Sequence, residues 1–79
     1  MKIIGYAYMA ALHCPDCARL DADVGILERR PPLQLGTDAH GLAHDLVDRE
    51  GNAVSQVHNI DEPGEGGDWC DDCRVDLRA

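Results

Sequence analysis

The sequence has no phenylalanine, one tryptophan (Trp69) and two tyrosines (Tyr6, Tyr8) in 79 residues. Large core side chains are therefore scarce, in a chain short enough that burial alone leaves a fold marginal. Bases are few as well: seven against fifteen acids, for a formal charge of −8. Residues 1–37 balance four acids (Asp16, Asp21, Asp23, Glu28) against four bases (Lys2, Arg19, Arg29, Arg30). Residues 38–79 carry eleven acids and three bases (Arg49, Arg74, Arg78), so the whole excess lies in the second half. Nucleic acid attracts proteins mainly through its phosphates, and this balance argues against direct DNA or RNA binding. No apolar run is long enough to span a membrane. Residues 1–12, one Lys followed by an apolar stretch, could mimic a secretion signal. His13 directly before Cys14 spoils a lipoprotein cleavage site, and no Ala-x-Ala ending follows, so a first β-strand is the better reading. Also missing are a Ser/His/Asp order, a phosphate loop and a dinucleotide fingerprint.

Cysteine is sparse but arranged. The only four form two C-x-x-C pairs, Cys14-Pro15-Asp16-Cys17 and Cys70-Asp71-Asp72-Cys73. Two residues between thiols let both sulfurs face one ion from a tight turn. Two such turns brought together supply the closed tetrahedral shell of a structural zinc site, so one Zn²⁺ per chain held by Cys14, Cys17, Cys70 and Cys73 is expected. Iron in a four-thiolate site would use the same ligands. A thioredoxin-like redox pair at Cys14 and Cys17 is a rival, because Cys-Pro-x-Cys after an apolar run is its local pattern, but it leaves the second pair unexplained. The low cysteine density speaks against a disulfide scaffold, and free thiols suit a reducing, cytoplasmic setting. His13, adjacent to Cys14, is the one plausible substitute ligand.

Residues 2–12 read as one β-strand, central because both faces are fairly apolar: Ile4, Tyr6, Tyr8, Ala10 and Leu12 on one, Ile3, Gly5, Ala7, Met9 and Ala11 on the other. Residues 18–30 are ambiguous. Leu20, Val24 and Leu27 have helical spacing, and Asp21 and Asp23 suit a first turn, which favours a short helix; Gly25 costs about 1 kcal/mol inside one, and Val24–Leu27 could instead be a short strand. Arg30-Pro31-Pro32 should end the element. Residues 36–41 read as a loop. His40 and His44 are four apart, as for one helix face, but Gly41 between them favours a surface pair. Residues 42–60 suggest a hairpin turning at Asp48–Asn52. Residues 61–68 form an acidic, Gly-rich loop, after which Trp69 is expected to pack against the metal knuckle.

The two motifs CPDC (14–17) and CDDC (70–73) make the chain resemble the zinc ribbons, in which two C-x-x-C knuckles on hairpins pinch one zinc. A narrower resemblance, to small bacterial and phage zinc-ribbon proteins, rests on Y-x-x-A-L-H-C-P-D-C at 8–17, D-R-E-G-N-A-V at 48–54, D-E at 61–62 and C-D-D-C at 70–73. It does not cover residues 18–47. Many ribbon knuckles carry Gly after the second Cys; Ala18 and Arg74 stand there instead. The expected fold is a single small zinc-stabilised, β-rich (α+β) domain over residues 1–79, with a zinc-ribbon-like antiparallel sheet and room for one short helix after the first knuckle. The resemblance implies a fold and a metal, not an activity. A site closed by four cysteines leaves no position for a water nucleophile, so the expected role is non-enzymatic, through interaction with a protein. An acidic surface from Asp45, Asp48, Glu50, Asp61, Glu62, Glu65, Asp68, Asp71, Asp72 and Asp76 would attract a basic partner. One alternative is a nucleic-acid mimic of the anti-restriction or anti-CRISPR kind; another is thiol–disulfide redox chemistry at Cys14 and Cys17.

Overall fold

The computed structural model describes residues 2–30 and 36–78. Its elements are β1 (Ile3–Tyr8), β2 (Ala11–His13), α1 (Pro15–Asp23), β3 (Glu28–Arg29), β4 (Leu46–Val47) and β5 (Ser55–His58). The main sheet is antiparallel, in the order β2-β1-β5, and β3 with β4 forms a second, two-stranded ladder. Strand β1 is thus central, as its two apolar faces implied.

The expected strand 2–12 is in fact a hairpin. It folds back at Met9 and Ala10, both in the left-handed region (φ 52° and 58°), so that Tyr8 pairs with Ala11 and Tyr6 with His13. With positive φ at both positions this is the type I′ form of a two-residue hairpin loop, a geometry usually given to Asn and Gly. Met-Ala carries no such signal. The Asp48 carboxylate accepts a hydrogen bond from the Met9 backbone N–H and so braces this turn.

The register of β1 against β5 shifts between Ile3 and Gly5. A bulge of this kind changes which side chains share a face. Ile3 consequently packs with Tyr6 and Tyr8 in a core completed by Ala18, Leu27, Leu42 and Leu46, while Ile4 joins Leu12 beside Cys14, Cys70 and Leu77. The simple alternation that placed Ile4 with the tyrosines is broken at the bulge. Both buried phenols have acceptors: the Tyr8 hydroxyl donates to Asp21 Oδ2 at 2.6 Å, and that of Tyr6 donates to Asp38.

Residues 18–30 resolve into helix, cap and strand. Pro15 sits in the first turn of α1, where its missing N–H is no loss. Gly25 (φ 86°) terminates the helix rather than weakening its interior. The N–H of Ile26 reaches Asp21 O at 2.9 Å and that of Gly25 reaches Ala22 O at 3.4 Å, the paired bonds of a left-handed helix stop. Leu20 and Val24 remain exposed; the buried helical residue is Ala18. The expected stop at Pro31 and Pro32 lies outside the described residues. Strand β3 is clamped to β4 by a forked ion pair from Arg29 to Asp45, at 2.8 and 3.0 Å.

The expected 42–60 hairpin forms only at its tip. Asp48 N–H donates to Asn52 O and Val47 bridges Ala53, but β5 then crosses to pair with β1 instead of β4. His40 and His44 share no helix. The His40 ring is half-buried and reaches Ile3 O through Nε2 at 3.0 Å, whereas His44 is exposed. Among the described residues no helix is long and apolar enough to cross a membrane.

Candidate metal centre

The first pair of cysteines is delivered by β2 and α1. Cys14 is the N-cap of the helix, and its Sγ accepts from the Cys17 N–H at 3.4 Å. The N–H of Ala18 makes the first helical bond, to Cys14 O at 2.9 Å, and the Ala18 side chain is fully buried. This pair therefore sits on a strand-to-helix junction, not on a hairpin, and needs no glycine after its second Cys.

The second pair does sit on a hairpin. Trp69 bridges Asp76, Cys70 N–H donates to Val75 O and Leu77 N–H donates to Asp68 O, both at 2.9 Å. The chain reverses through Arg74, which takes φ 68° and donates its N–H to Cys70 O. Here the left-handed residue expected after the second Cys is present, occupied by Arg at a conformational cost.

Two devices bring the pairs together. The Asp71 N–H donates to Leu12 O at 2.8 Å, joining the hairpin to the edge of β2. Leu77 packs over Gly5, where an added Cβ would lie 2.8 Å from His13 O and 2.9 Å from Leu77 Cδ1. As a result the four sulfurs of Cys14, Cys17, Cys70 and Cys73 all lie within 4.8 Å of one another, with Cys14 and Cys73 at 3.7 Å. All four are free thiols. Cys14 and Cys70 are buried, Cys17 is half-buried and Cys73 is exposed.

Their acidities follow from this crowding. Burial pushes Cys70 up, but the backbone N–H groups of Cys73, Cys14 and Asp72 outweigh it and bring the thiol down to about 6. Burial also raises Cys14, only partly offset by the Cys17 N–H, and it raises Cys17 together with the three neighbouring thiols. Cys70 thus ionises readily, while burial and the neighbouring thiols oppose ionisation of Cys14 and Cys17. A cation at the centre would remove that opposition, and the donor set could hold a metal ion.

His13 does not join the sulfurs. Its ring is buried and stacks on Tyr8 with centroids 3.8 Å apart; Nδ1 faces Asp72 Oδ2 at 3.0 Å and Nε2 faces Tyr8 O at 3.2 Å. With Asp21 and Asp72 it forms a second group of donor atoms within 4.8 Å, which ties α1, β2 and the C-terminal hairpin beside the cysteines. Nothing local in the sequence marks it, because His13 and Asp72 are 59 residues apart. Trp69 also departs from expectation. It is 49% exposed and rests on the preceding loop rather than on the cysteines.

The acids divide in two. Asp45, Asp48 and Asp68 are turned inward: Asp45 onto Arg29, Asp48 onto the N–H groups of Glu50 and Asn52, and Asp68 onto Arg78 and the Gly64 N–H. They hold the fold and leave the expected acidic surface smaller than their number suggests. Compared with protein-family models, with curated proteins and with solved structures, the chain matches none.

Proposed function

We propose that this chain is a non-enzymatic zinc-binding protein that acts by docking another protein. The observation that carries the zinc assignment is the gathering of Cys14, Cys17, Cys70 and Cys73 within 4.8 Å. A tetrahedral zinc with Zn–S bonds of about 2.3 Å sets neighbouring sulfurs about 3.8 Å apart, and the Cys14–Cys73 separation of 3.7 Å fits that edge. Four thiolates close the shell, leaving no site for an activated water, which supports a structural rather than catalytic metal. Zinc would then fix the C-terminal hairpin to the sheet, and the exposed acids of that half would face a basic partner. The inward use of Asp45, Asp48 and Asp68 weighs against a nucleic-acid mimic.

Thiol–disulfide chemistry has one feature in its favour, the placing of Cys14 at a helix start with the Cys17 N–H on its sulfur. Native mass spectrometry with and without chelator separates the readings. One zinc per chain, with thiols unreactive until the metal is removed, is the expected result. A metal-free protein whose Cys14 and Cys17 label rapidly would favour redox chemistry instead.

A further inference from the structure

Trp69 is the one tryptophan of a chain poor in large core side chains, yet the fold keeps it at the surface. On the hairpin its neighbours Asp68 and Cys70 are buried, as is Leu77 on the opposite strand, so Trp69 and its cross-strand partner Asp76 occupy the outer face. The indole is fixed there by a dedicated loop. Its Nε1–H donates to Gly66 O at 3.1 Å, and the ring lies against Gly67, where a Cβ would sit 3.2 Å from Nε1. Gly67 has φ 95°, and its N–H donates to Gly64 O at 3.1 Å. The loop is closed in turn by Asp68, which accepts from the Gly64 N–H at 3.1 Å and pairs with Arg78 at 2.6 Å. Several elements therefore cooperate to hold a half-exposed aromatic ring in one orientation, which lowers the entropy lost when something stacks on it.

The chemistry of the occupant follows from the surroundings. The indole N–H is already satisfied, so what the ring offers outward is apolar area and its π face. In the chain that flanks it, Glu65 and Asp71 are exposed, and Asp76, half-buried with one carboxylate oxygen on the Arg78 N–H, stands across the hairpin. An acidic rim repels phosphates, excluding a stacked nucleic-acid base, and favours a cation. A planar guanidinium both stacks on an indole and pairs with carboxylates, which an ammonium does less well.

We propose that this face, centred on Trp69 and rimmed by Glu65, Asp71 and Asp76, is the docking platform for an arginine-bearing segment of a protein partner. The proposal rests on the reading of the chain as a zinc-held, protein-binding module and names its contact surface.

The test uses the zinc-loaded full chain and four probes: an acetylated alanine peptide carrying three arginines, its lysine and glutamate counterparts, and a short single-stranded DNA. Trp69 fluorescence and calorimetry report binding, and zinc content and amide dispersion are measured on the same samples. Saturable binding of the arginine peptide is expected, weakening as salt rises, with the lysine peptide about fivefold weaker and the other two silent. Trp69→Ala keeps the net charge and should weaken binding about tenfold, whereas Trp69→Phe should retain most of it. Glu65→Lys with Asp71→Lys provides a second variant that leaves the indole in place, and it should weaken binding at least as much. Equal binding of the arginine and lysine peptides, undiminished binding by Trp69→Ala, or binding of DNA by a zinc-loaded, folded sample overturns the platform and leaves the metal assignment standing. A sample without zinc and without dispersion overturns both.

Discussion

Removing the metal should release the C-terminal hairpin first and the rest of the fold with it. Ordering residues 68–78 costs about 16 kcal/mol at about 1.5 kcal/mol per residue. What the protein itself supplies is limited. Leu77 is the one buried apolar side chain in that stretch apart from Cys70, contributing about 2–3 kcal/mol. The bond from Asp71 N–H to Leu12 O, the His13–Asp72 contact, the Asp68–Arg78 pair and the bond from Arg78 to Asn59 O add about 1 kcal/mol each. The bonds within the hairpin and its loop (Cys70 N–H to Val75 O, Leu77 N–H to Asp68 O, Arg74 N–H to Cys70 O, Trp69 Nε1–H to Gly66 O, Gly64 N–H to Asp68 and Arg78 N–H to Asp76) add about 1 kcal/mol each. A shortfall of several kcal/mol remains, well within the about 10–16 kcal/mol of structural zinc binding. Without zinc the hairpin should detach, exposing Ile4, Leu12 and Leu77. The remaining core of Tyr6, Tyr8, Ala18, Leu27, Leu42 and Leu46 is small for independent stability. Amide spectra recorded during chelation should lose the dispersed resonances of Cys70, Leu77 and Arg78 first, then those of β1 and β5. Native shifts for Leu77 and Arg78 in a metal-free sample would refute the reasoning.

Other outcomes follow from single features. Gly5→Ala should destabilise the zinc-loaded protein by about 1–3 kcal/mol in denaturant titration, because the added methyl meets both His13 O and Leu77; a neutral result would mean the hairpin is not seated on β1. Ala10→Gly should raise stability by up to about 1 kcal/mol, relieving a left-handed non-glycine residue (φ 58°), and a lowered melting temperature would count against that turn. Three carboxyls lie below their usual range: Asp68 through Arg78 and the Gly64 N–H, Asp48 through the Asn52 N–H, and Asp38 because the Tyr6 hydroxyl and the His40 and Leu42 N–H groups outweigh its burial. A lowered folded-state value gives stability that is present above the unfolded value of about 3.9 and disappears as pH falls through the folded one. Stability at fixed metal occupancy should therefore fall below about pH 4, and Asp68→Asn should flatten that fall. With a thiol reagent, Cys70 and Cys73 should both be labelled readily once zinc is stripped, since both lie on the hairpin that loss of the metal releases; protection of Cys70, buried in the intact fold, in a metal-free sample would mean that the hairpin stays seated.

Much of the site was legible in the sequence because C-x-x-C is a local signal, and two copies say that distant segments must meet. Central β1 was legible from its doubly apolar faces; a short helix near the first knuckle was expected too, but on the wrong residues, since α1 runs Pro15–Asp23, Asp21 and Asp23 stand in its last turn and Leu20 and Val24 are exposed. The turn at Met9 and Ala10 was not, because its left-handed residues carry none of the usual turn chemistry and the brace comes from Asp48, far along the chain. The bulge between Ile3 and Gly5 was hidden for a similar reason: it answers to Leu77 and β5, not to its neighbours. Trp69 was misplaced because adjacency to Cys70 suggested packing, whereas alternation along the hairpin puts the two side chains on opposite faces. The inward acids Asp45, Asp48 and Asp68 read as surface charge until their partners were in view.

The central claim is that one zinc ion is held by four thiolates drawn from both ends of the chain. X-ray absorption at the zinc edge, combined with metal quantitation on the purified protein, tests it most directly. The account predicts one zinc per chain and a single shell of four sulfurs at about 2.3 Å. A nitrogen or oxygen atom in that shell, iron in place of zinc, or a zinc content other than one per chain would contradict it.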